Sequence, residues 1–111
     1  MKRYNKLKQN WEFRRLYSKG KCLVSPAFIL YYGKGKAGRA RLGITAGKKF
    51  GTAVARNRAK RLVTAAFDEV LPRISKGFDF VFVVRGRILS LKSPQVAAML
   101  FELLSRNGLI E

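Results

Sequence analysis

Apolar residues recur with a period near 3.6 in a half-buried helix and near 2 in a half-buried strand. Phe13 and Tyr17 stand four apart with Leu16 beside them, which predicts a short helix with one apolar face. Asn10 suits its N-cap, Glu12 falls in the first turn where the helix dipole favours an acid, and Gly20 ends it. Trp11 reads as core or helix packing. Residues 27–32 (Ala-Phe-Ile-Leu-Tyr-Tyr) are aromatic and branched enough for a strand. Leu42, Ile44 and Ala46 alternate along residues 41–46, so a second strand is expected there. The glycine-rich basic stretch between the two, Gly33 to Gly38, suggests a hairpin. A long helix over residues 53–71 follows, rich in alanine and closed by Pro72. Phe-Asp-Phe-Val-Phe-Val-Val at residues 78–84 is nearly all apolar, as in a strand buried on both faces. Ser93 and Pro94 open a last helix whose stripe is Val96, Met99, Leu100, Leu103 and Leu104, and Asn107-Gly108 caps it. The sum is an α+β fold of three helices and about four strands, one sheet with helices packed on it.

Composition turns this into a functional question. A chain of 111 residues is expected to form one domain, residues 1–111. It carries 24 Lys and Arg against 6 Asp and Glu, a net charge of +18. A fold so charged repels itself unless a polyanion neutralises it, and nucleic acid or anionic membrane is the usual candidate. Residues 13–67 contain no acid and fourteen bases, so one strongly positive face is expected. Lipid-binding basic segments are usually amphipathic helices with a bulky inserting face or disordered polybasic tails. Neither dominates here, and nucleic acid is the favoured partner.

Exclusions narrow the chemistry. Without His there is no Ser-His-Asp triad and no His-ligated metal. The single Cys22 closes no disulfide within the chain and has no assigned role. Six scattered carboxylates make a paired acid/base site an unattractive reading. No apolar run approaches the roughly 18–20 residues of a membrane span. The first residues, Met1-Lys2-Arg3-Tyr4-Asn5-Lys6, lack the apolar segment of a secretory signal. A cytoplasmic binding protein with no membrane partner is expected.

Projected as a helix, the middle segment places Ala59, Leu62, Val63, Ala66, Phe67 and Val70 on one face. Arg56, Asn57, Arg58, Lys60 and Arg61 lie around the exposed side of its first half, with Lys48 and Lys49 just upstream. A helix built for stability alone puts acids at its N-terminus and bases at its C-terminus. This one does the reverse, ending on Asp68 and Glu69. Bases in its first turns suit phosphate binding, which the N-terminal backbone N–H groups also favour.

The run Lys48-Lys49-Phe50-Gly51-Thr52-Ala53-Val54-Ala55-Arg56-Asn57-Arg58-Ala59-Lys60-Arg61-Leu62 closely resembles the signature of the bacterial ribonuclease P protein component. The resemblance extends to Arg3…Leu7-Lys8, Phe13…Tyr17…Gly20, Phe28…Leu30-Tyr31, Leu42-Gly43-Ile44 and the strand ending at Arg85. It implies a two-layer α/β sandwich, ribosomal-protein-like, with a left-handed βαβ crossover, against the usual right-handed rule. It also implies the protein subunit of a ribonucleoprotein endoribonuclease that removes the 5′ leader from precursor tRNA. In that family Mg²⁺, bound mainly by the catalytic RNA, does the chemistry, so no catalytic residue and no protein-bound metal are expected. The partners implied are the catalytic RNA and precursor tRNA, with no obligate protein partner. By the resemblance, Lys48, Lys49, Arg56, Asn57, Arg58, Lys60 and Arg61 bind the catalytic RNA. Phe13, Tyr17, Phe28, Tyr31 and Arg85 are then expected around a cleft for the single-stranded leader, where aromatic faces stack bases of any sequence. The family pattern often has Phe at the position of Tyr17, which keeps a stacking surface.

Other classes remain open on the residues alone. A ribosomal protein or RNA chaperone would share the composition but leaves the Arg-Asn-Arg run without a reason. A DNA reader lacks helix-turn-helix spacing ahead of the basic helix, and a free-standing nuclease lacks His and paired carboxylates.

Overall fold

The computed structural model describes residues 5–7, 9–35, 40–47, 51–75 and 77–110. Five strands, β1 (Asn5–Lys6), β2 (Lys21–Val24), β3 (Phe28–Lys34), β4 (Arg41–Thr45) and β5 (Phe78–Val84), form one sheet in the order β1-β4-β5-β3-β2. Among the described residues three α-helices accompany it: α1 (Asn10–Lys19), α2 (Ala53–Val70) and α3 (Ser93–Arg106). Four strands carry the sheet, and β1 adds two residues to its edge.

The expected hairpin of β3 and β4 does not form. β5 lies between them, antiparallel to β3 with Leu30 opposite Phe82 and parallel to β4 with Ile44 level with Phe82. β5 is the most apolar strand of the chain, and burying both its faces and both its edges requires the centre of the sheet. The actual hairpin joins β3 to β2, with Cys22 opposite Tyr31. From β4 the chain reaches its parallel neighbour β5 through α2, a βαβ crossover.

Alternation along the strands divides two packing layers. Phe28, Leu30 and Tyr32 of β3 and Phe80, Phe82 and Val84 of β5 join Val63, Phe67, Leu100 and Leu104 of α2 and α3 in the main core. Phe67 meets Phe80 and Phe82 edge-on, at ring centroid distances of 5.7 and 6.1 Å. On the opposite face α1 lies across the sheet over a smaller cluster of Leu7, Leu16 and Val81, flanked by Phe13, Tyr31 and Val83.

Local signals set the helix ends. The expected α1 cap shifts by one residue: Gln9 is the N-cap, and Glu12 reaches back to its N–H. Thr52 caps α2 by accepting from the Ala55 N–H, Pro94 sits in the first turn of α3, and Gly108 follows that helix at φ +72°. Trp11 is not core: it is 61% exposed on the outer side of α1. The α2 stripe is buried as its periodicity predicts, with Leu62 at its margin.

Candidate nucleic-acid interface

At about 3.6 residues per turn, α1 presents three stripes. Leu16 and Phe13 point down onto the sheet. Asn10, Phe13, Arg14 and Tyr17 face an open groove whose other side is Ile44, Thr45 and Ala46 of β4 and the residue beyond it. Glu12 and Arg15 lie on the remaining flank, where they meet charged partners. The groove holds about 620 Å³, with Leu7 in its lining. Lys60 of α2 forms part of its wall, and Lys60 with Thr64 lines an adjoining recess of about 220 Å³. This recess opens because β1 pairs with β4 only at Arg41 and Leu42, leaving Gly43 onward uncovered by that strand.

The floor depends on close approach. A Cβ on Gly43 would lie 2.6 Å from Cζ of Phe13, so the ring sits where any larger residue would displace it. Tyr17 packs edge-on against Tyr31 at 4.9 Å and its hydroxyl lies 3.3 Å from that of Thr45. Burial, then the neighbouring Cys22 thiol and Tyr17, raises the pKa of the Tyr31 phenol, which keeps it a neutral hydroxyl.

The expected cleft residues separate. Phe13, Tyr17 and Tyr31 come together around the groove side of α1. Phe28 does not: it is 0% exposed, in the main core against Phe82 at 5.2 Å. The reason is strand parity, since Phe28 shares its face with Leu30 and Tyr32 while Tyr31 points the other way. Arg85 is exposed just past the end of β5, outside the set that lines the groove. Arg14 lies on the same face as Phe13 and Tyr17, whereas Asn10, Thr45 and Ala46 carry no local signal for the groove, because only the packing of α1 against β4 brings them to it.

The second surface is the N-terminal half of α2. Asn57, Arg58, Lys60 and Arg61 are exposed, and Arg56 is half-buried with its guanidinium donating to the Gly51 carbonyl at 3.2 Å. Among the described residues none of these cations makes a salt bridge. Lys48 and Lys49 lie outside the described residues. Lys60 belongs to both surfaces, so the basic helix and the groove are continuous.

Two of the six acids are buried instead of balancing this charge. Asp79, 0% exposed, accepts from Arg41 Nε at 2.8 Å, Arg41 Nη2 at 2.7 Å and Arg15 Nη2 at 2.5 Å. Glu12, 5% exposed, accepts from Arg41 Nη1 at 2.5 Å. Together the two acids hold the Arg41 pKa above its ordinary value, the hydrogen bond that Arg41 donates to Asp79 being the largest cause, against an opposing effect of burial. Gly35 makes room for this arrangement, since a Cβ there would collide with the Asp79 carboxylate. The sequence did carry a signal: Asp79 is the one polar residue of an otherwise apolar strand.

The surfaces described are a basic helix face and an aromatic, basic groove, with no group of three His, Cys, Asp or Glu among the described residues that could hold a metal ion. No helix among them is long and apolar enough to cross a membrane. Comparison with known proteins points the same way. The Ribonuclease P family profile matches residues 1–108. The ribonuclease P protein component of a Thermoanaerobacter species is 38% identical over 84 residues, covering 76% of this chain and 72% of that protein. Its counterpart in Oceanobacillus iheyensis is 33% identical over 112 residues, covering 100% of this chain and 93% of that protein. Among solved structures, the Thermotoga maritima RNase P protein superposes with a TM-score of 0.81 at 31% identity, covering 92% of this chain and 96% of that one. A mutant RNase P protein from Staphylococcus aureus gives 0.81 at 28% identity, covering 94% and 88%. The chain belongs to the ribonuclease P protein family, the protein component that joins the RNA of a tRNA-processing ribonucleoprotein endoribonuclease.

Proposed function

We propose that the two surfaces divide the work of leader removal: the α2 cations hold the catalytic RNA, and the α1–β4 groove holds the single-stranded 5′ leader of precursor tRNA. The observation that carries this reading is the groove itself, where Phe13 and Tyr17 stand beside Arg14 and Lys60. Single-strand binding without sequence preference needs that mixture of ring faces and cations, each stacked base contributing about 1–3 kcal/mol. On the α2 side, exposed cations without acidic partners are free to replace the counterions of RNA phosphates. Arg56, Asn57, Arg58, Lys60 and Arg61 are the contacts assigned there, with Lys48 and Lys49 extending the surface. Arg85 is a peripheral phosphate contact for the leader.

The protein contributes binding and orientation, not bond cleavage. It acts as a single RNA-binding domain, in the cytoplasm, without an obligate protein partner. Mg²⁺ required by the holoenzyme is assigned to the RNA. Among the described carboxylates, Glu12 and Asp79 are held by arginines, and Glu102 pairs with Arg106. Precursor tRNA cleavage by a bacterial ribonuclease P RNA at low Mg²⁺, with and without this protein, tests the reading. Stimulation is expected. No stimulation would sink it, and cleavage by the protein alone would favour a free-standing nuclease.

A further inference from the structure

We infer that Arg41, Glu12 and Asp79 are positioning residues that set the width and orientation of the leader groove without touching the leader. This rests on the reading of the groove given above. The geometry is a closed circuit: Glu12 of α1 binds Arg41 of β4, Arg41 binds Asp79 of β5, and Asp79 binds Arg15, back on α1. Glu12 and Arg15 stand three apart, one turn of helix, so the sheet grips α1 at two points along one flank. The groove residues Asn10, Arg14 and Tyr17 lie on the opposite flank. A grip on one side of a ten-residue helix fixes its rotation, and rotation decides where Phe13 and Tyr17 aim.

Apolar packing under α1 cannot do this alone. The cluster beneath it has three buried members, Leu7, Leu16 and Val81, and dispersion contacts tolerate a slide or roll that hydrogen-bond geometry does not. Arg41 is the main tie, since its fork meets two acids at once through Nε, Nη1 and Nη2. Arg15 is the weaker arm: Nη1 reaches the Lys34 carbonyl at 3.2 Å, while its buried Nε has no hydrogen-bond partner among the described residues. Placing two of so few acids inside the fold also leaves the lining of the groove without an acid, so the arrangement that positions the aromatic rings also leaves the field attractive to a phosphate backbone.

The test uses holoenzyme reconstituted with a bacterial ribonuclease P RNA. Affinities are measured for precursor tRNA and for mature tRNA, alongside the affinity of each protein variant for the RNA. Glu12→Gln and Arg41→Gln should each lower the preference for precursor about tenfold, the equivalent of one stacked base. Their affinity for the RNA, held by a different element, should stay within about twofold. Fluorescence of Trp11, the single Trp and the neighbour of Glu12, should shift in both variants as α1 turns. Glu12→Gln keeps the side-chain shape and an acceptor for the Gln9 N–H, so it guards against a result that reflects unfolding. Phe13→Ala serves as the direct probe of the groove. If Phe13→Ala lowers the preference and Glu12→Gln and Arg41→Gln do not, the positioning role is overturned and the groove reading stands. If none of the three lowers it, both fall. Equal loss of RNA affinity and precursor preference would overturn the positioning role and show that the salt-bridge circuit only holds the fold together.

Discussion

Replacing Asp79 with asparagine removes the one negative charge at the centre of the sheet while keeping the side chain's size. In the native fold three N–H donors from two guanidinium groups converge on that carboxylate at 2.5–2.8 Å, and none of it is exposed. Breaking a buried pair by removing one partner typically costs about 3–5 kcal/mol, because the surviving charge is left uncompensated. Here the two survivors are reachable by water, their side chains being 17% and 35% exposed, which places the loss near the lower end, about 3 kcal/mol. In a domain of this size each kcal/mol moves the melting temperature by roughly 4–8 °C, so a fall of roughly 12–24 °C is expected. Urea unfolding followed by far-UV circular dichroism at fixed salt measures the free-energy loss, and thermal unfolding followed the same way measures the fall in melting temperature. The control is Glu102→Gln, whose partner Arg106 sits 2.6 Å away with both side chains 66% exposed. Solvent screens that pair, and its loss should cost no more than about 0.5 kcal/mol. An Asp79→Asn protein within about 0.5 kcal/mol of the parent would refute the claim that the buried salt bridges of Asp79 tie the fold together.

Core and groove aromatics should part company in the same assay. Phe28→Ala, in the main core, should cost about 3–5 kcal/mol, while Phe13→Ala should cost less and act mainly on precursor binding; comparable stability losses would make Phe13 ordinary core. Arg56→Ala combined with Arg58→Ala should weaken assembly with the RNA and flatten its salt dependence while leaving the melting temperature nearly unchanged. Filter binding across a salt series reads this, and an unchanged slope would remove these residues from the phosphate contacts; the parent should lose roughly 10³–10⁵ in affinity from about 50 to 200 mM salt if about 6–10 phosphates are neutralised. The raised pKa of Tyr31, due chiefly to burial, means its contribution to stability is full below the ordinary tyrosine value of 10.0 and lost as pH rises through the higher folded value. Absorbance titration should show a late-ionising component that Tyr31→Phe removes; a variant that loses amplitude only near the ordinary tyrosine value of 10.0 would contradict the burial.

Much of this was legible before any coordinates, and the reasons are local. The α2 boundaries follow from Thr52, the buried stripe and Pro72, all of which act within a few residues. The basic face of α2 follows from the same periodicity, read on its other side. Phe28 shows where local reading stops. Its neighbours mark a strand, but nothing within residues 27–32 says which parity faces which layer. Only pairing with β5 and packing under α2 send Phe28 inward and leave Tyr31 beside α1. The β3–β4 hairpin failed for a similar reason, since sequence neighbours compete with a better buried partner elsewhere in the chain, and β5 took the place between them.

The sequence alone determined the charge, its concentration in residues 13–67, the helices and their faces, and the absence of histidine chemistry. Each of these is a property of composition or of spacing along a few turns. Tertiary structure decided which cations are free and which are tied. Arg14 and Arg15 are adjacent in the chain, yet one lines the groove and the other is bound to Asp79, 64 residues away. That division depends on the rotation of α1 against the sheet, a quantity set by contacts between distant segments and written in no single stretch of residues.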